Sequence, residues 1–109
     1  MTFIKVAKTS EISVGKMKAI KLGDKEVLIA NIEGKYYAIG NRCTHKGGDL
    51  SKGKLENSIV TCPLHGAKFD LTTGKVVSGP KIGPFKGRAE NEPVYEVKVE
   101  NDEIMVRVP

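Results

Sequence analysis

Every cysteine and every histidine of this 109-residue chain falls in one of two short segments. The first reads Cys43-Thr44-His45 and the second Cys62-Pro63-Leu64-His65, with sixteen residues between His45 and Cys62. Each pair sits in a glycine-containing stretch, Gly47-Gly48 after the first and Gly66 within the second. Residues this rare seldom fall by chance into two matched pairs. A fold that uses them together must bring two separate loops to one point. Glycines after each pair let the backbone bend close and aim its N–H groups at a negative centre.

The flanking sequence reads as strands and turns. Tyr95, Val97 and Val99 point one way while Glu96, Lys98 and Glu100 point the other. Asn101-Asp102 then leads into Ile104, Val106 and Val108 on one face, with Met105 and Arg107 opposite. This predicts a closing β-hairpin, although Asp102 is followed by Glu103 rather than the glycine that a tight type I′ turn favours. Upstream, Lys16–Leu22 and Lys25–Glu33 flank Gly23-Asp24, a second hairpin signal. Val27 to Ala30 is apolar throughout, as expected of a strand covered on both faces. Gly34-Lys35 turns the chain into Tyr36–Ile39. No apolar 3.6-residue period persists for ten residues, so helix is minor and the class is all-β. The glycines concentrate between Gly34 and Gly87, dividing the chain into a strand-rich frame and a loop-rich middle.

Composition excludes several function classes. At 39% hydrophobic and 28% charged residues, the chain suits one compact domain with a core of its own. Apolar runs stop at about four residues, far short of the ~20 of a membrane span. Phe3-Ile4-Lys5-Val6-Ala7-Lys8 alternates and lacks the apolar centre of a signal peptide, so a cytoplasmic location is expected. The formal charge of +5 is spread along the whole chain, arginine is scarce and only six aromatic residues occur. Nucleic-acid readers lean on arginine and aromatic platforms, so no nucleic-acid partner is expected. The absence of glutamine beside many Lys and Glu hints weakly at a thermophilic source.

Three chemistries compete for Cys43, His45, Cys62 and His65. One is a buried cysteine pair or a Cys43–Cys62 disulfide with incidental histidines, which a reducing cytosol opposes. Another is a Cys2His2 zinc site, although zinc modules usually pair cysteine with cysteine and histidine with histidine at short spacing. The third is a [2Fe–2S] cluster with two thiolates on one iron and two imidazoles on the other.

The double motif resembles the Rieske cluster-binding motif. The likeness runs through Cys43-Thr44-His45-Lys46-Gly47-Gly48 and Cys62-Pro63-Leu64-His65-Gly66-Ala67-Lys68-Phe69-Asp70, then Thr73-Gly74 and Ser78-Gly79-Pro80. Leu50 and Gly53 also match, and the resemblance covers about residues 2–108. Similarity to the soluble Rieske-type ferredoxins implies a single domain over 1–109, with an antiparallel β-sandwich or barrel base. That base would span 1–39 and 81–109 and carry a two-loop cluster-binding subdomain at about 40–80. It implies one [2Fe–2S] cluster per chain, held by Cys43, His45, Cys62 and His65.

Four thiolates would leave such a centre doubly negative before reduction. Two thiolates and two neutral imidazoles leave it neutral, so an added electron meets less charge and the potential rises. Imidazole ligation also implies a potential that falls with rising pH. High-potential members of the family carry an interloop cysteine pair where this chain has Gly48 and Leu64. They place hydroxyls near the cluster sulfurs where this chain has Ala67 and Phe69. Without those donors the reduced state is less stabilised, so a low-potential Rieske ferredoxin is expected, lacking the interloop disulfide.

No catalytic residue is expected. Both histidines are committed, which leaves none for a second iron or for a nucleophile–base pair, and no nucleotide-binding glycine motif occurs. The implied role is a one-electron carrier from a reductase to a terminal oxidoreductase such as an oxygenase. Arg42, Lys46 and Lys68 are candidates for steering partners with acidic docking surfaces. Two alternatives stay open: a Rieske-type small subunit of a larger oxidoreductase such as a nitrite reductase, and the zinc module. Lys81–Pro93 is longer than the family's usual short proline loop and is expected to be a polar insertion, either partner-specific or a surface elaboration.

Overall fold

The computed structural model describes residues 2–44, 47–64, 66–82 and 85–108. It is built almost wholly of antiparallel strands: β1 (Thr2–Lys8), β2 (Met17–Leu22), β3 (Lys25–Ile32), β4 (Lys35–Gly40), β5 (Lys54–Glu56), β6 (Ile59–Thr61), β7 (Lys68–Asp70) and β8 (Val76–Ser78). These are followed by β9 (Lys81–Ile82), β10 (Phe85–Lys86), β11 (Val94–Tyr95), β12 (Val97–Glu100) and β13 (Glu103–Val108). Helix is confined to two single 3-10 turns among the described residues, Thr9–Glu11 and Leu50–Lys52. The strands form three main sheets, ordered β1-β13-β12, β11-β4-β3-β2 and β5-β6-β7-β8, with β9-β10 as a separate hairpin.

The expected hairpins form, with two refinements. Glu100 pairs with Glu103, leaving Asn101 and Asp102 as the turn, with φ of 52° and 63°. Both central residues of a type I′ turn need positive φ, and here Asn and Asp supply it without glycine. Ile32 pairs with Lys35, so the second turn is Glu33-Gly34, one residue earlier than the sequence suggests. The strand expected from Tyr95 to Glu100 also breaks in two. Val94 and Tyr95 pair with β4, whereas β12 pairs with β13.

β3 explains the unbroken apolar run. Val27, Leu28, Ile29 and Ala30 are each 0% exposed, and successive side chains leave on opposite faces. Val27 and Ile29 pack with Ala7, Ile12, Ala38, Ile104 and Val106. Leu28 and Ala30 pack with Ile39, Leu50, Val60, Phe69 and Leu71, and with Cys43 and Cys62. One strand thus forms a wall of two cores, and the second core carries the cysteines.

Candidate metal centre

The two motif loops share one backbone plan. Loop 1 follows β4, and loop 2 joins β6 to β7. The Cys43 N–H donates to the Gly48 carbonyl at 2.8 Å, and the Gly47 N–H donates to the Cys43 carbonyl at 2.7 Å. In loop 2 the Cys62 N–H donates to the Ala67 carbonyl at 2.7 Å, and the Gly66 N–H to the Cys62 carbonyl at 3.1 Å. Each cysteine is therefore bracketed by the residues four and five places on. The fourth is in both cases a glycine with positive φ, 70° at Gly47 and 76° at Gly66. Within these matching brackets the first histidine stands two places after its cysteine and the second stands three.

The brackets meet at Gly48. A Cβ there would lie 2.7 Å from the Cys62 Sγ and 3.1 Å from the Leu64 Cδ1, so only glycine lets loop 1 close on loop 2. A Cβ at Gly53 would run into the Thr61 carbonyl, which presses the exit of loop 1 against the strand leading into loop 2. At both glycines the requirement is close approach rather than positive φ. Gly48 and Leu64 do face each other, as the resemblance implies.

Cys43 and Cys62 are 4% and 3% exposed and are buried thiols, so the Cys43–Cys62 disulfide reading is not realised. Ala67 and Phe69, at 1% and 0% exposed, belong to the same core. Two buried soft donors on converging loops suit an iron–sulfur centre, and the structure thus brings together half of the expected ligand set. His45, His65 and Lys46 lie outside the described residues.

A polar anchor that the sequence reading missed holds loop 1. Asn41 is wholly buried; its Nδ2 donates to Asp49 Oδ1 at 2.9 Å and to Glu26 Oε1 at 3.3 Å. Its Oδ1 accepts the Ser51 N–H at 3.0 Å. The Ser51 hydroxyl, followed by the Asn41 amide, holds the Asp49 carboxyl below its ordinary value. Arg42 Nε donates to Glu26 Oε2 at 2.8 Å, and its Nη1 to the Gly47 carbonyl at 3.3 Å. Arg42 therefore braces the loop, and of the three candidate steering cations only Lys68 is described as exposed without such a brace. The signal for this anchor was Asn41 itself, a polar residue closing an apolar strand. Periodicity gives such a residue no role.

The Lys81–Pro93 stretch is not a uniform polar insertion. The Gly87 N–H donates to the Pro80 carbonyl at 2.8 Å, closing the β9–β10 hairpin. Ala89 then packs on the cysteine-bearing core, and Glu92 is only 4% exposed. Burial pushes the Glu92 carboxyl up to about 7, against a smaller opposing pull from the Thr44 N–H.

A sequence model of the Rieske [2Fe-2S] domain matches residues 2–106. The chain belongs to the Rieske [2Fe-2S] domain family. A similar curated relative is the ferredoxin component of the naphthalene 1,2-dioxygenase/salicylate 5-hydroxylase systems of a Ralstonia species. It is 34% identical, over 97% of this chain and 95% of its own length. Among solved structures, the ferredoxin of carbazole 1,9a-dioxygenase from Nocardioides aromaticivorans aligns with a TM-score of 0.79 at 30% identity, over 97% of each chain. A complex of reduced oxygenase and oxidized ferredoxin in carbazole 1,9a-dioxygenase aligns with a TM-score of 0.81 at 28% identity, over 95% of this chain and 100% of the matched one. The cofactor of this Rieske domain is a [2Fe–2S] cluster, and the two buried thiols fit it.

Proposed function

We propose that this chain is a one-electron carrier of a multicomponent oxygenase system, accepting an electron from a reductase and delivering it to the terminal oxygenase. The observation that carries this reading is the closure of two equivalent thiol-bearing loops on each other through Gly48 and Cys62. End-to-end similarity to ferredoxin components supports it. In this reading Cys43 and Cys62 hold one iron as thiolates while His45 and His65 hold the other as neutral imidazoles. The cluster supplies the one-electron couple; the protein buries the sulfur side and fixes the distance between the loops. The cluster-binding subdomain is placed at about 40–80 and the base at 1–39 and 81–109. This division is supported by the β5–β8 sheet lying wholly within the middle segment. A cytoplasmic setting suits a pair of thiols kept reduced. Among the described residues no helix is long and apolar enough to cross a membrane.

The potential should lie low in the Rieske range. Ala67 and Phe69 line the cysteine core without a hydroxyl, so their side chains offer the cluster sulfurs no donor that would favour the reduced state. Purified protein should be brown, with about two iron and two acid-labile sulfide per chain and a rhombic EPR signal on reduction. Its midpoint should fall in the lower part of the family's span of about −150 to +300 mV. A colourless zinc protein would overturn the carrier reading, and a midpoint near the top would overturn its low-potential form.

Docking to an acidic partner would use Lys46 and Lys68, since Arg42 is engaged by Glu26. Reversing the charge at both should slow electron transfer to the oxygenase and flatten its dependence on ionic strength. Unchanged stopped-flow kinetics across salt would rule steering out.

A further inference from the structure

The segment after the β9–β10 hairpin crosses between the two ligand-bearing parts of the molecule. On the loop 1 side, the Thr44 hydroxyl donates to the Glu90 carbonyl at 2.7 Å and accepts from the Glu90 N–H at 2.9 Å. The Thr44 N–H donates to Glu92 Oε2 at 3.1 Å. Glu92 Oε1 lies so close over Gly40 that a Cβ there would stand 2.6 Å from it. On the loop 2 side, the Glu92 N–H donates to the Gly74 carbonyl at 2.7 Å, and Asn91 Oδ1 accepts the Val76 N–H at 2.9 Å. Gly74 closes the turn between β7, which follows loop 2 directly, and β8. A Cβ on Gly74 would come within 2.5 Å of the Glu92 carbonyl, so this end too is in close contact.

Three consecutive residues thus hold the residue after Cys43 through Glu90 and the Glu92 carboxyl, and the hairpin that extends loop 2 through Asn91 and the Glu92 N–H. Nothing in a surface elaboration demands a buried carboxylate set on a backbone N–H, or a threonine hydroxyl used as both donor and acceptor. We infer that Glu90-Asn91-Glu92 is a hydrogen-bonded tie that positions loop 1 against loop 2, with Thr44 and Asn91 as its two fastening residues. The ties act in series. Loosening either end relaxes the relative position of the loops, and loosening the second end then adds less. The inference rests on the proposed ligand set only for what the loops hold.

The test is the rate at which the loaded protein gives up its metal to a chelator, followed by bleaching of the visible spectrum. Thr44→Val removes both hydroxyl bonds and should speed metal loss about tenfold, the scale of one to two net hydrogen bonds. Thr44→Ser keeps the hydroxyl and should restore the original rate. Asn91→Ala, remote from the expected ligands, should also speed the loss, and Asn91→Asp should restore it. In the double variant Thr44→Val/Asn91→Ala, a rate well short of the product of the single effects supports a tie in series. Single variants that leave the rate unchanged, effects that multiply, or no rescue by Ser and Asp would each overturn it. If the purified chain carries zinc, the carrier reading fails while the same comparison, read with a chromogenic chelator, still decides on the tie.

Discussion

Gly48→Ala should leave a folded base that no longer assembles its metal centre, with iron per chain falling to about a tenth or less of the unaltered value. The added methyl would lie 2.7 Å from the Cys62 Sγ, where unstrained non-bonded carbon contacts sit at about 3.5–4.0 Å. One of the loops must therefore back away by about an ångström. A metal site tolerates ligand displacements of about 0.2 Å, so the two thiols can no longer serve one centre. The flexible neighbour, Leu64, can turn aside, but Cys62 is held by its own bracket to Ala67 and Gly66 and cannot. Gly47→Ala is the control. Its φ of 70° makes alanine strained, yet no described atom lies within 4 Å of the new methyl. That substitution should lower stability by about 1–2 kcal/mol and keep most of the iron. Iron analysis and visible absorbance of the two variants make the comparison. A Gly48→Ala protein with a full complement of iron would show that the loops do not close as described.

Glu92→Gln should stabilise the protein at pH 8 and change it little near pH 5. The Glu92 carboxyl is nearly inaccessible and faces the Thr44 N–H, with burial raising its ionisation from an ordinary 4.5 to about 7. A group whose pKa is raised on folding binds its proton more tightly in the native state. Its contribution is fully present below about 4.5, is lost as pH rises toward about 7, and is constant above that. At about 1.4 kcal/mol per pH unit the loss approaches ~3 kcal/mol. Glutamine keeps an acceptor for Thr44 but cannot ionise, so the variant escapes this loss. Thermal unfolding should show it melting about 10 °C above the unaltered protein at pH 8, and only a few degrees above it at pH 5. The Asp49 carboxyl acts in the opposite sense. Its depressed value makes its contribution present above the ordinary carboxylate range and lost only in stronger acid, outside this window. Equal melting of variant and parent at pH 8 would mean that Glu92 does not sit as a buried acid.

Much of the site was legible because rare residues carry it. Two cysteines and two histidines in matched spacing announce a shared centre, and Val27–Ala30 announces a strand buried on both sides. Strand register was legible where side chains alternate, as in β13, and failed by one residue at Glu33-Gly34. There the turn depends on which residues accept positive φ, and Glu33 gives no sign of doing so. The place of the Lys81–Pro93 stretch was not legible for a different reason. Its charge and glycine content resemble a surface loop, whereas its place depends on partners more than forty residues away, such as Thr44 for Glu90. No local pattern encodes a contact at that separation. Asn41 was passed over likewise, because a buried amide is defined by its partners Asp49, Glu26 and Ser51.

Sharing β3 between the two cores has an energetic consequence. Leu28 and Ala30 belong to the core that holds the cysteines, and Val27 and Ile29 to the core beneath the terminal strands. Shifting β3 by one residue to repair one side would turn the wrong side chains toward the other. The loop-bearing part and the frame therefore cannot melt in sequence as two modules do. They should share a single cooperative transition, in which the amides of Val27 to Ala30 exchange last.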